Sequence, residues 1–126
     1  MPTRSKREKT RYTDKELAVF GKIIDEKLEK AKQQLKFYLD QIQEVAENDE
    51  NKLKGLDDGV SSVETERLYT MAARQRKLIQ HLENAKLRIL NKVYGVCRVT
   101  GKLISKERLK AVPHATLSID AKQKGA

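Results

Sequence analysis

LAVFGKIIDEKLEKAKQQLKFYLDQIQEV, residues 17–45, is the stretch that decides the fold. Alternating steps of four and three through it select Leu17, Gly21, Ile24, Leu28, Ala31, Leu35, Tyr38, Ile42 and Val45. Only the glycine interrupts an apolar stripe. This rhythm marks a helix that buries one seam against a partner helix. Just upstream, Thr13-Asp14-Lys15-Glu16 reads as a capping box, in which hydroxyl and carboxylate satisfy free N–H groups of the first turn. No proline lies between Thr13 and Pro113, so nothing of that kind breaks a long helix. About 36 helical residues would span roughly 54 Å.

The partner follows in the chain. Glu47 to Gly59 is rich in Asn, Asp and Gly, residue types that favour a turn. Ser61-Ser62-Val63-Glu64 reads as a second capping box. A second seam then runs through Leu68, Met71, Gln75, Leu78, Leu82, Ala85 and Ile89. Two long helices on a short connector fold back antiparallel. The expected helices cover about 14–49 and 62–91, with Leu28, Leu35 and Ile42 near Leu82, Leu78 and Met71.

After Asn91 the pattern changes. Tyr94 to Ile104 reads as two short strands around a Thr100-Gly101 turn. Ser105 to Ala111 reads as a short capped helix that stops before Pro113, and Thr116 to Lys122 as the start of another helical turn. About 30 residues are too few for an independent core, so this module docks on the hairpin base. The expected fold is therefore mainly α: residues 1–12 as a basic disordered tail, 13–92 as a coiled-coil hairpin with its tip near 50–60, and 93–126 as a compact base module.

Composition narrows the function. Charged residues make up 36% of the 126 and hydrophobic ones 38%, which suits helices burying one stripe each. No run of about 18 apolar residues exists to span a membrane, and no apolar segment of a signal peptide follows the basic N-terminus. The single cysteine, Cys97, excludes an internal disulfide and suits a reducing cytoplasm. No catalytic triad, Gly-rich phosphate loop or metal cluster can be argued from the spacing, so an enzyme is not expected. Each helix already has a partner within the chain, which favours a monomer. The net charge of +9, densest at Arg4, Lys6, Arg7, Lys9 and Arg11, supports an alternative. On that reading the chain is a basic coiled-coil protein that binds nucleic acid or a ribosome non-specifically.

Arg76-Lys77-Leu78-Ile79, Tyr94-Gly95-Val96-Cys97, Thr100-Gly101-Lys102-Leu103-Ile104 and Glu107 to Leu117 together resemble a known family. It is the family of RNA-polymerase-binding regulators that includes the DnaK suppressor and TraR proteins (DksA/TraR). The resemblance implies a structural zinc held by Cys-x2-Cys, seventeen residues, and Cys-x2-Cys. Those positions here read Cys97, Thr100, Ser118 and Ala121. One thiolate remains, so zinc is not expected. Val96, Val99, Leu103, Ile104, Leu109, Val112, Leu117 and Ile119 are expected to pack in its stead, with Cys97 as a small packed side chain.

The resemblance also implies a mechanism. The hairpin enters the secondary channel of bacterial RNA polymerase, and acidic tip residues approach the catalytic centre without sequence-specific DNA contacts. An ungapped count back from Cys97 puts Asp57 at the family's tip aspartate, Asp58 next to it, and Gly59 where the family usually has alanine. The family helps to form a site for guanosine tetraphosphate. The matching positions are His81, Val112 and Lys122, which makes His81 and Lys122 the candidate alarmone contacts. Arg74 and Arg108 are candidate polymerase contacts.

Overall fold

The computed structural model describes residues 10–52 and 58–123. Four helices follow in order: α1 Asp14–Lys52, α2 Asp58–Leu90, α3 Lys106–Ala111 and α4 Ile119–Gln123. The fold is mainly helical. The chain divides into two compact units. One joins the residues up to Glu26 with those from His81 onward, and the other is Lys27–Gln80.

The start of α1 is the capping box read from sequence. The Thr13 N–H donates to Glu16 Oε1 at 2.8 Å, and the Glu16 N–H donates to Thr13 Oγ1 at 3.2 Å. In the base unit α1 and α2 run antiparallel. Lys86 Nζ lies 2.9 Å from Asp25 Oδ1, and Lys92 Nζ lies 3.2 Å from Asp14 Oδ1. Both pairs are half-exposed or more, so they fix register more than they stabilise. Between them a Cβ on Gly21 would meet Ile89 at 3.8 Å, an ordinary contact. Leu17, Ile24, Leu82 and Ala85 are buried along this seam. In the Lys27–Gln80 unit the seam continues with Leu28, Ala31 and Ala72 buried. Leu35, Tyr38, Ile42, Leu68, Met71, Gln75 and Leu78 there are half-buried, with charged or polar neighbours exposed.

The helix ends differ from expectation. The structure continues α1 to Lys52 through the Asn-Asp-rich segment and starts α2 at Asp58, so Ser61 lies inside α2 and does not cap it. Extending an existing helix adds a hydrogen bond for each residue fixed, while a new turn must be nucleated. Asn and Asp are only mildly unfavourable inside a helix. Asp57, expected at the tip, lies outside the described residues. At its other end α2 closes with Lys92 in the left-handed region, φ 62°. The Lys92 N–H donates to Ile89 O and the Val93 N–H to Arg88 O, the paired bonds of a Schellman motif.

The base module holds one antiparallel bridge, Val96 to Leu103, where two strands were expected. Gly95 and Gly101 both have positive φ, 82° and 75°, so each arm bends before a ladder can extend. The turn itself is as read: Gly101 N–H donates to Cys97 O, and Cys97 N–H returns to Lys102 O, both at 2.8 Å. Ser105 caps α3, its Oγ accepting from the Arg108 N–H at 3.2 Å. The module's core also departs from expectation. Ile104 and Leu109 are fully buried, but Val99 and Ile119 are about half exposed. Their place is taken by aromatic residues outside the expected set. Phe20 of α1 sits 5.5 Å from Tyr12 and 5.4 Å from Tyr94, ring centre to ring centre, and all three rings are buried. Tyr12, expected in the tail, donates its hydroxyl to Ile104 O. Tyr94 donates to Pro113 O at 2.7 Å.

Candidate functional site

Two features of the base unit carry chemistry. The first is the set of four positions where the resemblance implies zinc. The turn after the bridge and the N-terminus of α4 bring them together. Cys97 is fully buried, and its Sγ accepts from the Ser118 N–H at 3.3 Å and the Thr100 N–H at 3.5 Å. Burial pushes the thiol up. The Thr100 hydroxyl and the N–H groups of Ser118, Thr100 and Val99 outweigh it and bring Cys97 down to about 6. The backbone thus still aims donors at the sulfur, an arrangement suited to a thiolate. The other three side chains are not zinc donors. Ser118 Oγ accepts from the Ala121 N–H at 3.2 Å, Thr100 Oγ1 accepts from the Lys102 N–H at 3.2 Å, and Ala121 has no ligand atom. A tetrahedral structural zinc needs four thiolate, imidazole or carboxylate donors, and this set does not fit it. Among the described residues no group of three or more His, Cys, Asp or Glu converges.

The second feature is a groove of about 430 Å³ beside it, lined by the C-terminal part of α2, by α3 and the segment after it, and by Lys122 in the last turn of α4. His81 and Arg88 come from α2, Arg108 from α3, His114 from the segment between, and Lys122 from α4. Arg108 Nε donates to Leu117 O at 2.9 Å, and Arg88 Nη2 reaches His114 O at 3.4 Å. These bonds hold two guanidinium groups at the groove wall by one edge each. Burial draws Arg88 down from its ordinary value, Tyr94 opposes this and Arg98 adds to it. The rings of His81 and His114 stack at 5.5 Å with an 8° tilt. Burial, then the facing His81 and Arg88, lower His114 below the ordinary imidazole range. Its Nδ1 is shut off from solvent without a hydrogen-bond partner.

The structure therefore brings His81, Val112, Lys122 and Arg108 to one groove. Arg74 is elsewhere, in a shallow depression on α2 with Val63, Glu66, Arg67, Thr70 and Met71. Asp58 and Gly59 open α2. Sequence reasoning missed Arg88 and His114 as groove residues. Arg88 was within reach, because residues seven apart share a helix face with His81. His114 was not, because only the chain's path after α3 returns it to α2.

Residues 92–124 match the family model for the prokaryotic dksA/traR C4-type zinc finger. The chain is 39% identical over 66 residues to the "RNA polymerase-binding transcription factor DksA" of Caulobacter vibrioides, a match covering 51% of this chain and 46% of that protein. It is 39% identical over 46 residues to "General stress protein 16O" of Bacillus subtilis, covering 36% of this chain and 28% of that one. The chain thus spans about half the length, or less, of the curated relatives it matches. The solved structure of transcription factor DksA2 from Pseudomonas aeruginosa superposes with a TM-score of 0.78 over 86% of this chain and 81% of that one, at 21% identity. The similarity to the DksA/TraR proteins thus lies in part of the chain, with the zinc-finger model confined to residues 92–124.

Proposed function

We propose that this chain is a bacterial transcription regulator that binds RNA polymerase through the secondary channel, and not an enzyme. One observation carries the reading: long, polar-faced helices share the fold of a transcription factor, beside a segment that matches the dksA/traR zinc-finger model. The name of the Caulobacter relative adds the partner. Helices of this length, about 58 Å for the 39 residues of α1, suit reach into a deep channel. No described helix is long and apolar enough to cross a membrane. On this reading the protein works in the cytoplasm as a monomer, without sequence-specific DNA contacts. Arg74 and Arg108 touch the polymerase, and Asp57 and Asp58 bring negative charge to the metal-bearing active centre. The groove with His81 and Lys122 accepts an oxyanion such as the phosphates of guanosine tetraphosphate.

The test is in vitro transcription from a sensitive promoter with the double variant Asp57→Asn, Asp58→Asn beside a deletion of residues 1–9. The tip variant is expected to keep its helix content and bind polymerase within a few-fold, while its effect on transcription falls to background. Full activity in the tip variant would defeat the channel mechanism. Activity lost only in the deletion, with steep weakening of binding by salt, would support the nucleic-acid reading instead.

The same reading holds that the module folds without zinc, because Thr100, Ser118 and Ala121 supply no thiolate. Purified protein is expected to contain less than a tenth of an equivalent of zinc by elemental analysis, and excess chelator is expected to leave its melting temperature unchanged. One zinc per chain would overturn this.

A further inference from the structure

Cationic or titratable side chains reach the groove from three helices and from the segment between α3 and α4. His81 and Arg88 face it from α2, Arg108 from α3, and Lys122 from α4. Tyr94, which follows α2, donates to Pro113 O next to His114. Among the described residues that line the groove none is acidic. A proton placed on His114 therefore meets positive neighbours and, among the described lining residues, no carboxylate. The stack places the two rings side by side, and His114 has one ring nitrogen buried without an acceptor. Protonating that nitrogen creates a buried donor with nothing to receive it. Both features oppose a charged histidine in the empty groove. An oxyanion seated among Arg88, Arg108 and Lys122 reverses the local field.

We propose that the stacked pair His81 and His114 couples oxyanion binding in this groove to proton uptake, so that a phosphate-type dianion binds more tightly as the pH falls. The proposal rests on the groove being an oxyanion site. The balance is simple: one proton passes from solvent to the imidazole pair as the dianion enters, and no covalent bond forms. The sign follows from linkage. The bound anion raises the histidine's affinity for its proton, so the proton must raise affinity for the anion by the same factor. One coupled proton changes that affinity by at most about tenfold for each pH unit.

Sulfate is the probe, because it stays a dianion throughout this pH range. The chain has only two histidines, so proton NMR of the imidazole rings shows both directly, and His81→Asn assigns them. Adding sulfate is expected to move the His114 midpoint up by roughly half a pH unit or more. Sulfate affinity is expected to rise about threefold between about pH 7.5 and 5.5, the most that a half-unit shift of one coupled proton allows. Lys122→Gln, on an exposed side chain, is expected to weaken sulfate several-fold at both pH values. His81→Asn is expected to raise the His114 midpoint without sulfate, because a positive neighbour is gone. If sulfate moves neither ring and Lys122→Gln changes nothing, the oxyanion reading of the groove fails. If sulfate binds and Lys122→Gln weakens it, but affinity is equal at the two pH values, the site stands and the proton coupling fails.

Discussion

Gly95→Ala is expected to destabilise the base unit by about 3 kcal/mol, the sum of two separable effects. Gly95 sits at φ 82°, where an L side chain costs roughly 1–2 kcal/mol. The added Cβ would also stand 2.6 and 2.7 Å from two carbons of the Tyr12 ring and 3.2 Å from Leu109 Cδ1. Tyr12 cannot easily yield, because its hydroxyl is bonded to Ile104 O and its ring packs on Phe20. Overpacking of this kind costs about 1–3 kcal/mol. Gly101 is the internal control. Its φ is 75°, yet a Cβ there meets nothing within 4 Å, so Gly101→Ala should show the backbone cost alone, about 1 kcal/mol. Urea melts of both variants, and of Gly95→Ala combined with Tyr12→Ala, separate the terms. Equal losses at the two glycines would show that the Tyr12 contact carries no weight.

Phe20→Ala is expected to cost about 3–4 kcal/mol. Its ring is 3% exposed and stands between Tyr12 and Tyr94, at 5.5 and 5.4 Å. Truncating a buried phenylalanine typically costs about 3–5 kcal/mol, of which pairing with other rings supplies about 0.5–1.5. The comparison is Phe37→Ala in the Lys27–Gln80 unit. Phe37 is also ring-paired, 5.6 Å from Tyr38, but is 54% exposed, so its loss should stay near 0.5 kcal/mol. Near-ultraviolet circular dichroism should report the difference. The tyrosine signal should fall in Phe20→Ala, where two tyrosines lose their shared neighbour. Similar losses for the two phenylalanines would mean that the base has no cooperative aromatic core.

These rings mark the limit of what the sequence disclosed. The hairpin was legible because two seams repeat a 3.5-residue rhythm over many turns, and burial follows them from Leu17 to Ala31 and again at Leu82 and Ala85. The caps at Thr13 and Ser105 were legible because they need only neighbours in sequence. Phe20 was passed over because the four-three count steps from Leu17 to Gly21, although Phe20, three residues after Leu17 and four before Ile24, shares their face. Tyr12 was hidden in a run of basic residues, and what buries it is a carbonyl 92 positions away. The site divided in the same way. The assembly of Cys97 with Thr100 and Ser118 followed from spacing and resemblance. The groove needed the return of residues 112–117 across α2, which no local pattern announces. The helix ends at Lys52 and Asp58 were not legible, because the turn-forming residue types there compete with a helix already many turns long.

The bond from Tyr12 to Ile104 and the pair Asp14 to Lys92, 92 and 78 positions apart, also set an order of events during synthesis. Long-range closures come late, because the entropy of the intervening chain must be lost before they return any energy. A nascent chain can wind α1 as soon as it emerges, but its first residues have no carbonyl to meet until Ile104 has been made. At about 5–20 residues per second, that interval lasts on the order of five to twenty seconds. During it Tyr12 and Phe20 face water. The protein is most open to proteases and chaperones in that window, and it closes only when the last quarter of the chain returns to the first turn.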